Sequence, residues 1–301
     1  NYQQLSMRHF FHIYPTKRKK KSSMKISEYV YRVHINEDDS PFGTYHPGGS
    51  SIYFIGDPDT NMVVMDTGEH YRSWTDQILA YHKELGSPNI SNIYITHGHY
   101  DHIGGVDRLQ KTFQCKVGCH INLKPKLQMI LEEGIVFSIE DQEILKVNDN
   151  INLLALYTPG HENDHICYFL QEEQIMFTGD TVLGSSSSSV RNLKQYMNSL
   201  EIILAHKPTK VFPAHGALVE DGTAKIKSYI QHRTKRETQI IDALTKNASQ
   251  TVYEIVDFVY PKDLNPNLRE AAARNVRTHL EKLSEEGKIE ETSPLYSLNN
   301  N

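Results

Sequence analysis

A layered α/β domain followed by a small, mostly helical unit is the fold class predicted for this chain of 301 residues. Three observations predict it. From residue 28 onward, short runs rich in β-branched and aromatic residues alternate with runs of helical spacing, the pattern of sheets covered by helices. Four strand-like runs end directly in histidine or aspartate chemistry, as loops at strand ends in α/β sheets do. Beyond residue 224 helical spacing takes over and persists to Gly287.

Taken in order, residues 1–27 carry seven basic side chains (Arg8, Lys17, Arg18, Lys19, Lys20, Lys21, Lys25) and no acidic one. This segment reads as an unstructured or targeting tail: a transit segment to the mitochondrial matrix, a nuclear signal at Lys17–Lys21, or, in a cytoplasmic protein, a solvated tail or an extension upstream of a start at Met24. Residues 28–223 form the main domain. Strands are expected over 29–35 and 51–56, joined by the Gly/Pro/His-rich loop 41–50, and over 62–65, ending at Asp66-Thr-Gly68. Trp74, Ile78, Leu79 and Leu85 have helical spacing, and Gly86-Ser-Pro88 stops that helix. Further strands are expected over 92–96, 150–157, 166–170, 174–177 and 210–212, and helices over 193–206 and 224–244. The five serines 185–189 read as a flexible loop.

Residues 224–298 form the second unit. Thr251 is placed to cap a helix over 252–260, and Pro261 and Pro266 bound a break. A longer helix then presents Leu268, Ala272, Val276, Leu280 and Leu283 on one apolar face. Gly287 ends it before the strand-like residues 288–290, giving a winged-helix-like arrangement with a trailing hairpin. Arg269, Arg274, Arg277 and Lys282 are interleaved with Glu270, Glu281, Glu285 and Glu286, so this helix reads as a solvated face and not as a DNA reader. The unit is expected to pack on the main domain and wall its cleft.

Composition excludes several classes. With 38% hydrophobic and 23% charged residues the chain folds around a core, and no run approaches the ~18 apolar residues of a membrane-spanning helix. Cys115, Cys119 and Cys167 lack the paired spacing of a zinc ribbon or disulfide scaffold. The net charge of −5 hides an asymmetry: the basic head leaves 25 basic against 37 acidic side chains in the rest. A nucleic acid would therefore need a local basic track, and the candidate is the helix bearing Lys225, Lys227, Arg233, Lys235 and Arg236.

The chemistry sits at the strand ends. His97-Gly-His99-Tyr-Asp101-His102 places three imidazoles and a carboxylate in six residues directly after a strand. Neutral imidazoles at that density suit zinc or a similar first-row metal, and carboxylates extend the set to a second ion. Three further strands end in Thr-Pro-Gly-His161, Thr-Gly-Asp180 and Pro-Ala-His215. An isolated loop histidine is seldom a ligand, but beside the six-residue cluster these ends converge on one site.

His97, His99, Asp101, His102, His161, Asp180 and His215, in this order and spacing, resemble the ligand pattern of the metallo-beta-lactamase superfamily. The resemblance covers roughly residues 28–222 and implies an αββα sandwich with two divalent metal ions, zinc by preference, in a cleft at one edge of the sheets. By that pattern His97, His99 and His161 hold the first ion, Asp101, His102 and His215 the second, and Asp180 bridges them. Asp101 doubles as the catalytic residue that handles the water proton, and Asp66 supports the ligands without being one.

Finer matches are similar to the beta-lactamase-like protein 2 group: Thr158-Pro-Gly-His-Glu-Asn-Asp-His165, Ser199-Leu-Glu-Ile-Ile-Leu, and Ile230-Gln-His-Arg-Thr-Lys-Arg-Glu237. That resemblance implies an endoribonuclease cleaving single-stranded RNA with a metal-activated hydroxide. The alternative on the same ligand set is a thioester or glyoxalase-type hydrolase with a small thioester substrate. The chain departs from the group at Gly49-Ser-Ser-Ile-Tyr53 and at the serines 185–189, both on lips of the cleft, which puts substrate fit in question and leaves the ligands untouched.

Overall fold

The structure is a computed structural model that describes residues 23–36, 48–247 and 249–291; the expectations for 1–22, for 41–47 of the Gly/Pro/His-rich loop and for 292–298 lie outside the described residues. Among these, seven strands lie side by side in chain order: β1 (Ser23–Lys25), β2 (Val30–Ile35), β3 (Ser50–Asp57), β4 (Asn61–Met65), β5 (Ile90–Tyr94), β6 (Lys116–Cys119) and β7 (Val136–Ser138). The β1–β4 half is antiparallel and the β4–β7 half parallel. A second sheet runs β12 (Lys210–Pro213), β11 (Ile175–Gly179), β10 (Ile166–Leu170), β9 (Asn152–Tyr157) and β8 (Ile144–Lys146), with only β11 and β12 parallel.

The period of two along each strand makes the layers. Along β3, Tyr53 and Ile55 join Val63, Met65, Tyr94, Tyr168, Phe177 and Phe212 in the core between the sheets. Ile52 and Phe54 point the other way, onto α1 (Arg72–Glu84) and α3 (Val106–Phe113) through Trp74, Ile78, Tyr81 and Leu109. On the far side, Leu154, Leu156, Phe169 and Met176 receive α5 (Leu193–Ala205) and the first half of α6 (Gly222–Lys246). Helices on both outer faces of two stacked sheets make the αββα order that was expected.

The second unit has its own core: Ile240 and Ala243 of α6, Ile255 and Val256 of α7 (Val252–Val259), and Ala272, Ala273, Val276 and Leu283 of α8 (Arg269–Glu285). Thr251 caps α7 in a capping box with Glu254, whose two reciprocal hydrogen bonds satisfy backbone donors the first turn leaves open.

Several expectations need correction. The sheet begins before residue 28: β1 pairs with β2, and Glu173 accepts hydrogen bonds from Ser27 Oγ (3.0 Å) and the Tyr29 amide (2.9 Å), pinning this edge. The boundary at 223/224 cuts a continuous helix, because Asp221 accepts from the Ala224 amide at 2.9 Å and starts α6 at Gly222. Leu268 is exposed, lying in a 3-10 turn (Pro266–Leu268) before α8. Residues 288–290 form no strand among the described residues; Ile289 packs on the helical core instead. Elements that sequence patterning did not separate are β6 to β8, α3, and the single-turn helices α2 (Tyr100–Ile103) and α4 (Lys124–Gln128).

Candidate metal centre

The seven candidate ligands leave the ends of β5, β9, β11 and β12, all at one edge of the sandwich. They assemble into two groups, His97, His99, His161 and Asp180 in one and Asp101, His102 and His215 in the other, with the candidate donor atoms of each group within 4.8 Å of one another. Asp180 faces both. Its Oδ2 is 3.6 Å from His161 Nε2 and 4.0 Å from His97 Nε2; its Oδ1 is 3.2 Å from His215 Nε2 and 3.6 Å from His102 Nε2. Asp101 Oδ2 lies 3.1 Å from His215 Nε2 and 3.5 Å from His102 Nε2.

The outward-facing ring nitrogens decide what the inward-facing ones are. His161 Nδ1 donates to the Ser189 carbonyl at 2.8 Å, so in the neutral ring Nε2 carries a lone pair. His99 Nε2 donates to Glu162 Oε1 at 2.6 Å, which leaves the lone pair on Nδ1. Those two lone pairs are 3.4 Å apart. His102 Nδ1 donates to Asp66 Oδ2 at 2.8 Å, and its Nε2, which like Asp180 Oδ1 is buried with no hydrogen-bond partner among the described residues, faces carboxylate oxygens. Thr96 Oγ1 donates to Asp66 Oδ2 (2.9 Å) and so accepts from His97 Nδ1 (3.1 Å), which turns the His97 Nε2 lone pair inward. Acceptors converging on acceptors are repulsive in a buried space unless a cation sits among them. The donor set fits divalent metal ions, and the histidine-rich group is the softer of the two.

The protonation tendencies agree. Burial, reinforced by the neighbouring imidazoles, pushes the proton affinity of His97 well below its ordinary value, and burial lowers His161 as well. Burial would lower His102 too, but the carboxylates of Asp101, Asp66 and Asp180 outweigh it and hold the ring well above the usual range. Burial opposes ionisation of Asp101 and Asp180, yet the imidazoles around them hold both carboxyls below their usual range. His102 thus occupies a place that demands positive charge, from a proton or from a metal.

Residues 45–215 match the metallo-beta-lactamase superfamily, and residues 251–294 match the beta-lactamase associated winged helix domain. The chain belongs to the metallo-beta-lactamase superfamily. This superfamily hydrolase is 33% identical over 258 residues to the atrochrysone carboxyl ACP thioesterase AacuM of Aspergillus aculeatus, covering 82% of this chain and 79% of that one. It is equally 33% identical, over 269 residues and 88% of each chain, to a beta-lactamase-like protein 2 homolog of Caenorhabditis elegans. In fold it is similar to a metallo-beta-lactamase family protein from Thermus thermophilus, with a TM-score of 0.67 at 20% identity over 90% of this chain and 98% of that one.

Around the candidate ligands, Asp66 stands where a supporting residue was expected. It has a left-handed backbone (φ 59°) and accepts from the Thr96 amide at 2.8 Å as well as from His102. Gly98 is needed between His97 and His99, since a Cβ there would lie 2.7 Å from both Asp164 Oδ2 and Leu123 Cδ1. Other supports escaped the sequence reading. Ser50 Oγ contacts His215 Nδ1 at 2.9 Å. Buried His165 accepts from the Asp180 amide at 3.2 Å and bonds Thr158 Oγ1 at 3.0 Å; its place in the run 158–165 was the available signal. Arg191 Nε lies 2.6 Å from Glu162 Oε1, the oxygen that holds His99.

Two readings need refinement here. The serines 185–189 form a loop, mostly exposed, but one tied to the site: Ser188 is buried, the Ser189 carbonyl orients His161, and the Ser186 carbonyl accepts from Tyr229 at 2.6 Å. The basic track on α6 is split: Lys227 and Lys235 are exposed, while Lys225, Arg233 and Arg236 bond internally. Arg233 is 3% exposed and donates to the Ser188 carbonyl. Arg236 donates to the Val259 carbonyl and stacks on Tyr260, while Lys225 donates to the Gly184 carbonyl. Aliphatic stems and planar guanidinium groups pack well against such surfaces, so a cation in a sequence run is no guide to a cationic face.

Proposed function

We propose that this protein hydrolyses acyl thioesters at the two-group centre. The observation that carries the reading is the character of the lips. The α6 cations that an RNA strand would need are mostly engaged internally. Beside the ligands, Tyr100 is 70% exposed, and Met129, Ile130 and Ile121 are exposed around α4. Lys126 ties α4 to the ligand loop, donating to the Gly98 carbonyl at 2.6 Å with its Nζ 4.6 Å over the Tyr100 ring. Such a rim suits an apolar acyl group better than a polyanion. The similarity to an acyl-carrier thioesterase points the same way.

His97, His99 and His161 would hold one ion, Asp101, His102 and His215 the other, with Asp180 shared, and zinc suits this imidazole-rich set. Bound ions supply an activated water and polarise the substrate carbonyl. Asp101, whose carboxyl the surrounding imidazoles hold below its usual range against burial, would orient the water through its carboxylate and take up its proton. A thiolate, with an ordinary thiol pKa of ~8.5, needs less proton help to leave than an alkoxide. Asp66 and Thr96 keep His102 and His97 in the tautomers that point lone pairs inward.

A second reading, cleavage of single-stranded RNA, is favoured by the similarity to the beta-lactamase-like protein 2 homolog and by the exposed Lys227 and Lys235 of α6. The deciding experiment offers zinc-loaded protein an acyl-pantetheine thioester, an acyl-glutathione thioester and single-stranded RNA in parallel. Thioester turnover abolished by Asp180→Ala is expected. RNA cleavage with no thioester turnover would replace this reading with the second.

A further inference from the structure

Arg233 raises a physical question. It is 3% exposed, and no carboxylate lies within ion-pair distance of it among the described residues. Burying a guanidinium without an acid is unfavourable, and an apolar residue of similar volume would be the easier choice. Its hydrogen bonds go elsewhere: Nη2 donates to the Ser188 carbonyl at 2.7 Å and Nη1 to Asn275 Oδ1 of α8 at 2.9 Å, with the guanidinium carbon 5.5 Å from the Tyr196 ring centre. The next carbonyl along, Ser189, is the one that accepts from His161 Nδ1 at 2.8 Å. The Ser188 and Ser189 hydroxyls lie 3.4 Å from the same nitrogen, and the Ser188 hydroxyl donates to the Ser189 carbonyl at 3.0 Å.

We infer that Arg233 is a positioning residue for the first ligand group. By clamping the Ser188 carbonyl it sets the orientation of the following peptide, so that His161 is held by the Ser189 carbonyl and its Nε2 lone pair points at His97 and His99. Asn275 fixes the guanidinium from the other side, so the winged-helix unit is a structural part of that group's support. The bond from the Ser188 hydroxyl to the Ser189 carbonyl is local to the serine run, whereas a planar cation that holds two acceptors at once ties the run to α8. The inference rests on the metal reading of the ligand cluster and is independent of which substrate is cleaved.

The test measures metal affinity in two backgrounds, His215→Ala, which leaves the first group intact, and His99→Ala, which leaves the second. Zinc affinity is read by competition with a chromophoric chelator, and the ligand field by the visible absorption of the cobalt-loaded protein. Arg233→Met should weaken binding about 10- to 100-fold in the His215→Ala background, the range typical of lost outer-shell support, and leave the His99→Ala background within about twofold. Asn275→Ala, half-buried and less disruptive, should act in the same direction by a smaller factor, and Arg233→Lys should recover part of the loss. Equal weakening in both backgrounds by Asn275→Ala would reduce Arg233 to general packing and overturn the assignment, as would unchanged affinity in both. Binding of no ion by the wild-type protein would instead sink the metal reading itself, and the positioning role with it.

Discussion

The two ligand groups lie side by side but are braced differently. The Asp101–His102–His215 group is held by side chains at the ends of β3, β4 and β5: Asp66 on His102, Thr96 on Asp66, and Ser50 on His215. Those elements belong to the central sheets, where both faces are packed. The His97–His99–His161 group depends more on its periphery. His161 hangs on the carbonyl of a serine loop, and His99 on Glu162, whose other partner, Arg191, is 74% exposed. Rigid strand ends fix geometry with few contacts, whereas a loop carbonyl has to be fixed by something else, here Arg233 of the shared helix α6, itself held by Asn275 of the second unit. The outcome should be unequal affinities, with the second group keeping its geometry when the surroundings are disturbed and the first losing it.

The most damaging change to this comparison is one that removes what the groups share. Asp180→Ala takes away the oxygens facing both, and we expect hydrolytic activity to fall by at least about 10³-fold, with bound metal dropping below two ions per chain by elemental analysis. Next in size, Asp66→Asn keeps the shape but turns a carboxylate acceptor into an amide. It should weaken the second group's ion about 10- to 100-fold, read by the same chelator competition, and the first group's by a smaller factor, since Asp66 reaches His97 only through Thr96. An equal loss at both groups would refute the division of support drawn above.

Smaller effects test whether the helical unit has its own energetics. His279 is buried in α8 with neither ring nitrogen bonded among the described residues; burial and the nearby cations Arg233, Arg236 and Lys282 lower its pKa to about 3. Because the unfolded ring takes up a proton near 6.5 and the folded ring does not, the unfolded state binds more protons between those values. Stability from this site is therefore complete above about pH 6.5 and declines as pH falls towards 3, by at most about 1.4 kcal/mol per pH unit. His279→Leu should flatten that part of the pH–stability curve relative to wild type, and parallel curves would refute the account. Smallest of all, Thr251→Ala should cost about 1 kcal/mol through loss of the α7 cap, seen as a lower chemical-denaturation midpoint with unchanged metal binding.

How much of this was readable in the sequence depends on what kind of atom does the work. The long strands β2, β3, β9 and β10 were legible because their runs are apolar or alternating over five to eight residues, with both faces buried along most of β3, β9 and β10. Strands β7 and β8, three residues each, are too short to show a period. The metal-centre candidates were legible because several imidazoles crowded at strand ends serve little purpose in packing and suit a cation well. The supports were not: the Ser189 carbonyl is backbone and carries no residue signature, and a serine run has the composition of a linker whether or not it is clamped. Arg233, Arg236 and Lys225 misled for the converse reason. Charge is visible in a sequence, but the direction in which a helix turns it depends on partners distant in the chain, here Ser188, Val259 and Gly184.

The continuity of α6 has one more implication. Its 25 residues place Ile226 and Tyr229 in the hydrolase core and Ile240 and Ala243 in the helical unit, so both cores share one rigid screw. At 3.6 residues per turn, a single residue inserted between them would rotate the distal apolar face by about 100° and carry it about 1.5 Å further along. Loops elsewhere in the molecule can lengthen or shorten without such a penalty. Between Arg233 and Ile240, the spacing of this chain is phase-locked, and an added or missing residue there would swing Asn275 away from its guanidinium before it disturbed either core's composition.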